Sequence, residues 1–305
     1  MLALRLPDFG SLLRSVRRHS LWFAMLAVLA ILFRQVLLEV IKLSLSVDHY
    51  SHLIFIPCLS AFLLYRQRQD IFSHTALDRG FGVALAFLAV PALIFGSRAS
   101  GTGEANGYLF ARGLTLFVLV LVSFMFCYGA RAFRSAAFPL LFLFLAVPFP
   151  AQVVQEIIVF LQKGSAAVCD VMFSLTGVPF LRRGDVFYLP NLTIEIAPQC
   201  SGIRSSMALL VTTLLAVHLL MQRWWKKALV VVSIVPLVLV KNGLRIVTIS
   251  LLGVYVDPRF LSGWLHHSGG IVFFSLTLAI IAVLIRLLEP NSARSRQATA
   301  AGAAS

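Results

Sequence analysis

The sequence predicts an all-α polytopic membrane protein: about eight transmembrane helices, an outer amphipathic helix and a small extracytoplasmic hairpin. Three observations lead there. Of the 305 residues, 59% are hydrophobic and only 12% charged, with a mean hydropathy of +0.91; soluble domains carry about 25% charged residues. Apolar runs near the roughly 20 residues that a helix needs to cross a bilayer recur along the chain. The Lys and Arg residues behind the formal net charge of +14 gather in short loops between those runs and near both termini, where the positive-inside rule puts them. Anionic lipid accounts for this charge, and no nucleic-acid partner is expected.

Arg5, Arg14, Arg17 and Arg18 precede an apolar run from Leu21 to Phe33. No small-residue cleavage site follows and Arg34 interrupts the run, so an uncleaved first helix over 20–44 is predicted, starting in the cytoplasm. Asp48 to His52 forms a short outer loop, and a second helix over 53–65 ends at Arg66-Gln-Arg68. A third helix over 80–96 and a fourth over 107–128 flank an outer loop holding Arg98 and Glu104. The glycine-rich Gly101 to Gly107 segment is a turn, because no soluble strand precedes it as a nucleotide loop requires. Arg131 and Arg134 mark the next cytoplasmic loop, and a fifth helix over 136–149 closes on Val147-Pro-Phe-Pro150, which cannot continue a helix.

Residues 151–176 set the topology. Gln152, Gln155, Glu156, Gln162 and Lys163 fall near one helical face and apolar residues fill the others, a pattern that suits a helix lying in the interface or re-entering. Parity agrees with that placement: five helices precede it, so a full crossing would put Arg223 to Lys227 outside, against the charge rule. A sixth helix over 201–221, a seventh over 228–250 and an eighth over 266–286 follow. Between them, 182–199 reads as a hairpin of Val186 to Leu189 and Leu192 to Ile196 around Pro190-Asn191. One integral membrane domain over 1–289 and a disordered cytoplasmic tail over 290–305 are expected, with both termini cytoplasmic.

The chemistry-bearing residues collect at the outer ends of the last three helices. Cys58, Cys127, Cys169 and Cys200 show no Cys-x-x-Cys pair and no zinc spacing, so no metal and no cofactor is expected. Cys200 differs from the others in its place: a strand-like run stops at Pro198, and an apolar helix starts just after it. Unpaired N–H groups and the positive dipole end there favour a thiolate, and the small Ser201 and Gly202 leave room for a substrate backbone. Arg204, four residues on, shares its helical face. Asn242 and Arg245 share a face of helix seven, and His266 and His267 open helix eight. Each has a plainer reading as well: a small buried cysteine, a snorkelling arginine at Arg245, an interfacial anchor at Arg204, an interfacial histidine ring. Their convergence on one membrane surface favours a site.

These residues resemble the exosortase/archaeosortase transpeptidases. Tyr50-Ser-His52, Pro148-Phe-Pro150, Gly177-Val-Pro179 and Arg183-Gly184 support the likeness, and Cys200-Ser-Gly-Ile-Arg204, Asn242-Gly-Leu-Arg245 and His266 with Gly270-Ile-Val-Phe-Phe274 carry it. The resemblance implies a membrane cysteine peptidase or transpeptidase with Cys200 as nucleophile, Arg245 as oxyanion donor and His266 as general acid and base. His267 competes with His266 for that place, and Arg204, Asn242, His52, Ser201 and Gly202 are supporting candidates. It further implies secreted protein substrates with a C-terminal sorting signal (a Pro-containing motif of PEP-CTERM type, a transmembrane helix and a basic end). The acceptor would be a membrane lipid or a surface polymer, and the location a bacterial inner membrane with the site facing the periplasm.

A polytopic transporter or flippase is the main rival, since intramembrane Arg and His residues mark ion and lipid paths. Yet no inverted repeat or matching pair of broken helices is visible, and Cys200 would have no role. An intramembrane protease of another type or an acyltransferase would need His-Glu-x-x-His, Gly-x-Ser-x-Gly or paired aspartates, none of which occurs. A non-enzymatic scaffold for surface-polysaccharide export is a further alternative.

Overall fold

Helix dominates because a chain this apolar must satisfy its backbone hydrogen bonds within each segment once water is excluded. The computed structural model of the chain describes residues 9–73, 105–190, 192–257, 259 and 264–289. The chain divides into two compact units, Met1–Val153 and Val154–Ser305. The third expected helix (80–96), the loop with Arg98 and Glu104, and the tail 290–305 lie outside the described residues.

In the N-terminal unit, the single first helix expected over 20–44 is two: α1 (Phe9–Leu32) and α2 (Arg34–Ser46), bent by 74° at Phe33. The bend falls where polarity changes. Arg34, Glu39 and Lys42 all lie on α2 and are exposed, and a straight helix would carry them toward hydrocarbon at a cost of roughly 2.5–3.5 kcal/mol for a central charge. Phe33 and Val36 are buried at the bend against Leu109. A 3-10 turn (Asp48–Tyr50) leads to α3 (Phe55–Arg66) and the one-turn α4 (Arg68–Phe72).

At 12 residues α3 is too short to span, against the second crossing expected there. Next comes α5 (Ala105–Ser135), which carries no charge from Gly113 to Gly129, where φ of 83° breaks the helical geometry ahead of Arg131 and Arg134. The fifth expected helix is a six-residue α6 (Ala137–Phe142) and a four-residue 3-10 turn (Leu143–Ala146). It stops before Pro148 as the proline signal predicts, but is too short to cross alone. Ser60 of α3 donates to the Pro139 carbonyl at 2.7 Å, and Ile71, Phe124, Tyr128, Ala132 and Leu140 form the core of this unit.

In the C-terminal unit α7 (Ala151–Thr176) is one continuous helix of 26 residues. It is long and apolar enough to cross a membrane, with a mean hydropathy of 1.5 over its most apolar window. The expectation of an interfacial helix rested on its polar face and on a parity count that treated α3 and α6 as spans. Dropping both removes two crossings and leaves the count before α7 odd, so the charge rule still opposes a crossing that its length and hydropathy admit. Three helices follow: α8 (Ile203–Leu220), α9 (Trp224–Tyr255) and α10 (Trp264–Leu288), near the expected 201–221, 228–250 and 266–286. Among the described residues five helices are long and apolar enough to span, or six if the bent α1–α2 pair counts as one, where eight were expected.

Leu161, Leu209, Val217, Val230, Ile234, Val238, Ile281 and Ile285 bring α7 to α10 together in one core. The expected hairpin is a three-stranded antiparallel sheet in the order β1 (Leu181–Arg183), β2 (Val186–Leu189), β3 (Leu192–Glu195). Arg183 faces Val186, leaving Gly184-Asp185 as a two-residue turn with φ of 63° at Gly184, the left-handed geometry that such turns need. Phe187 and Leu189 of β2 and Ile196 pack on Ala166, Cys169 and Phe173 of α7 and Val247 of α9. This seats the sheet on the ends of two helices.

Candidate active site

The site is built where β3 hands over to α8. Beyond Glu195 the chain is pinned twice at Ile196: its N–H donates to Asp185 O at 3.0 Å, and its carbonyl accepts from Gln162 Nε2 of α7 at 2.5 Å. Pro198–Ser201 then forms a single 3-10 turn, closed by the Cys200 N–H donating to Ala197 O at 2.8 Å. Gly202 has φ of 77°, and α8 begins at the next residue. Cys200 therefore sits three residues ahead of the first residue of α8, half-buried, on a turn that the helix start redirects.

Two neighbours in α9 hold that turn. Asn242, 0% exposed, donates through Nδ2 to the Cys200 carbonyl at 2.7 Å and to Ser165 Oγ of α7 at 3.0 Å. Both amide hydrogens are thus used, which fixes the orientation of the amide. Glycine is favoured at 202 by its positive φ, and a Cβ there would stand a tight 3.1 Å from Asn242 Oδ1. Lys241, buried, donates to Ser205 Oγ, and Ser205 donates in turn to the Gly202 carbonyl at 2.9 Å. The Ser206 hydroxyl reaches the same carbonyl at 2.8 Å. Consecutive residues of α9 thus secure the carbonyls on either side of Ser201, one directly and one through a hydroxyl.

Close helix packing makes this reach feasible. A Cβ on Gly243 would lie 2.6 Å from Val168 Cγ1, and one on Gly164 would lie 2.7 Å from Leu239 Cδ2. The missing side chains at these two points let Val168 of α7 and Leu239 of α9 each seat against a glycine of the other helix, close to where Ser165 meets Asn242. Cys169 lies in the same crossing, its thiol 3.7 Å from the Gly243 carbonyl that it donates to. It and Cys200 are both free thiols.

Cys200 and Arg245 line one cavity of about 260 Å³, walled by Leu192 to Glu195 of β3 with Ile196 just beyond it, and by Ile246, Ile249 and Ser250 of α9. Arg204 is exposed on α8 and outside that lining. The Ser201 hydroxyl is buried with no hydrogen-bond partner among the described residues. His266 and His267 lie in the first turn of α10, with side chains outside the described residues. His52 belongs to the N-terminal unit; its Nδ1 donates to the His49 carbonyl at 3.1 Å. Burial pulls the His52 pKa below the ordinary value, the bond to that carbonyl opposes this, and the charge of His49 adds to the lowering. Among the described residues no group of three His, Cys, Asp or Glu side chains is placed to hold a metal ion.

Sequence reasoning missed Gln162, Ser165, Lys241 and Ser205. Lys241, an ammonium within a helix of membrane-spanning length, carried a signal of its own. Ser165 carried only the small-residue neighbourhood of Gly164 and Ala166.

The molecule is thus a polytopic membrane protein that mounts a half-buried cysteine and an arginine from a neighbouring helix on one cavity. A model of the transmembrane exosortase family (exosortase EpsH) matches residues 44–283, most of the chain and all of these residues, and the protein belongs to that family. No curated protein and no solved structure matches it.

Proposed function

We propose that the protein is a membrane cysteine transpeptidase that cleaves the C-terminal sorting signal, of PEP-CTERM type, from secreted proteins and passes them to a membrane lipid or surface-polymer acceptor. The observation that carries this reading is the cavity shared by Cys200 and Arg245. A free thiol is kept at the end of an apolar helix with a guanidinium beside the same space, and its carbonyl is anchored by a buried amide.

In this mechanism the Cys200 thiolate attacks the carbonyl carbon of the peptide bond just outside the substrate's membrane helix. Arg245 donates to the oxyanion that develops. As the C–N bond breaks, His266 gives a proton to the departing amine. It then takes one from the acceptor amine or hydroxyl, which attacks the thioester and releases the Cys200 thiolate. A side chain titrating near neutrality suits both halves of that cycle. The reading places the site on the periplasmic face of a bacterial inner membrane, because Arg223 to Lys227 and Arg286, at the opposite ends of α8 to α10, then face the cytoplasm as the charge rule requires.

The test is processing of an epitope-tagged secreted protein in cells carrying Cys200→Ala or Cys200→Ser. Both variants are expected to leave the signal uncleaved at normal protein levels. Normal processing in either one would end the nucleophile assignment.

A further inference from the structure

β3 is an edge strand of the sheet, and the cavity runs along that edge. Five consecutive residues, Leu192 to Ile196, line it. Neighbours on a strand point to opposite faces, so a cavity touching all five lies beside the strand and not over one face of it. The hydrogen-bond alternation identifies what that edge offers. Ile196 N–H donates to Asp185 O at 3.0 Å, and the register pairs Phe187 with Ile194 and Leu189 with Leu192. These are therefore the pairs that exchange bonds between β2 and β3. The intervening residues, Thr193 and Glu195, turn their backbone groups the other way. The Glu195 carbonyl is taken by the Ala197 N–H at 3.0 Å. Two groups of Thr193 and the N–H of Glu195 remain on the cavity side, with no partner among the described residues.

We propose that the substrate binds as an extended peptide added to β3 as a fourth strand, its backbone on Thr193 and Glu195, so that the bond to be cut is delivered to Cys200. This rests on the transpeptidase reading. The edge leads directly into the site: Ile196 is pinned at both its N–H and its carbonyl, and one turn later stands Cys200, on the same cavity as Arg245. The opposite wall, from α9, sets the apolar Ile246 and Ile249 beside Arg245 and Ser250, so it offers apolar surface to the substrate segment as well as polar groups to its backbone. Main-chain pairing supplies affinity that is indifferent to side chains. It therefore suits an enzyme that acts on many secreted proteins sharing a short motif. At four residues β3 is short, which limits pairing with unrelated strands.

Two measurements on the full-length protein in detergent test this, with the epitope-tagged secreted substrate as probe. Thr193→Pro removes the N–H that faces the cavity and leaves those facing β2, a substitution that edge strands tolerate. It is expected to lower kcat/KM tenfold or more, chiefly through KM. Separately, Cys200→Ala protein holding uncleaved substrate is read by amide hydrogen exchange. Thr193 and Glu195 are expected to exchange at least tenfold more slowly than in substrate-free protein, while Phe187 and Leu189, already paired, do not change. Wild-type KM in a folded Thr193→Pro protein, or unaltered exchange at Thr193 and Glu195 with substrate demonstrably bound, overturns the proposal. Failure of the transpeptidase reading has a different signature, cleavage that continues without the Cys200 thiol.

Discussion

At the scale of single residues, the site depends on Asn242 more than its place in a sequence motif conveys. A fully buried amide that spends both hydrogens on Cys200 O and Ser165 Oγ cannot be removed without leaving acceptors unpaired, at about 1–3 kcal/mol each. Asn242→Ala is expected to lower the thermal midpoint of the purified protein and cut substrate processing at least tenfold. Asn242→Asp keeps the shape but turns a carboxylate oxygen onto the Cys200 carbonyl, acceptor against acceptor. It is expected to process less than the alanine variant at equal expression. Wild-type rates in Asn242→Ala would remove this residue from the support of Cys200. Sequence reasoning placed Cys200 just ahead of a helix start, because proline, glycine and apolar period fix where a helix begins. It put Asn242 and Arg245 at the end of their helix, whereas α9 runs on to Tyr255 and holds both in its interior. It gave no means of seeing that Asn242 bonds to the residue bearing the thiol.

At the scale of elements, the crossing of α7 and α9 fixes the distance over which Asn242 must reach. Gly243→Ala would press a methyl within 2.6 Å of Val168 Cγ1, an overpacking worth about 1–3 kcal/mol. The variant is expected to melt earlier and to process poorly. Val168→Ala in the same chain should recover much of both losses by vacating the space. A double mutant no better than Gly243→Ala alone, by thermal shift and by processing, would show that the close approach of the two helices is not what matters. The helix α7 itself illustrates the limit of pattern reading. Its polar face suggested an interfacial position, but one member of that face is used inside the unit: Gln162 bonds the Ile196 carbonyl. Polar residues facing a protein partner and polar residues facing headgroups look alike in a helical wheel.

At the scale of the whole molecule, orientation follows from where the charges fall relative to α8, α9 and α10. The turn Gly184-Asp185 and the chain after Glu289 should lie on opposite sides of the membrane. An alkaline phosphatase fusion at the turn is expected to be active, and a fluorescent-protein fusion after Glu289 is expected to fluoresce in the cytoplasm. The reverse pattern would turn Cys200 to the cytosol and exclude secreted substrates. The same fusions placed at Val147 and at Arg182 decide whether α7 crosses, since its length and hydropathy admit a span.

Taken by itself, the sequence determined the membrane class, the helix starts and stops at Pro148 and Gly202, and the residue types that end up around the thiol. All of these follow from local chemistry: apolar content, missing N–H groups, positive φ. The tertiary structure alone decided the bend at Phe33, the shortness of α3 and α6, the third strand β1, and the hold of Ser165, Asn242, Lys241 and Ser205 on the cysteine turn. Those depend on which surfaces meet across segments distant in the chain. A single sequence, read for periodicity and spacing, does not encode in any legible way which buried donor finds which acceptor.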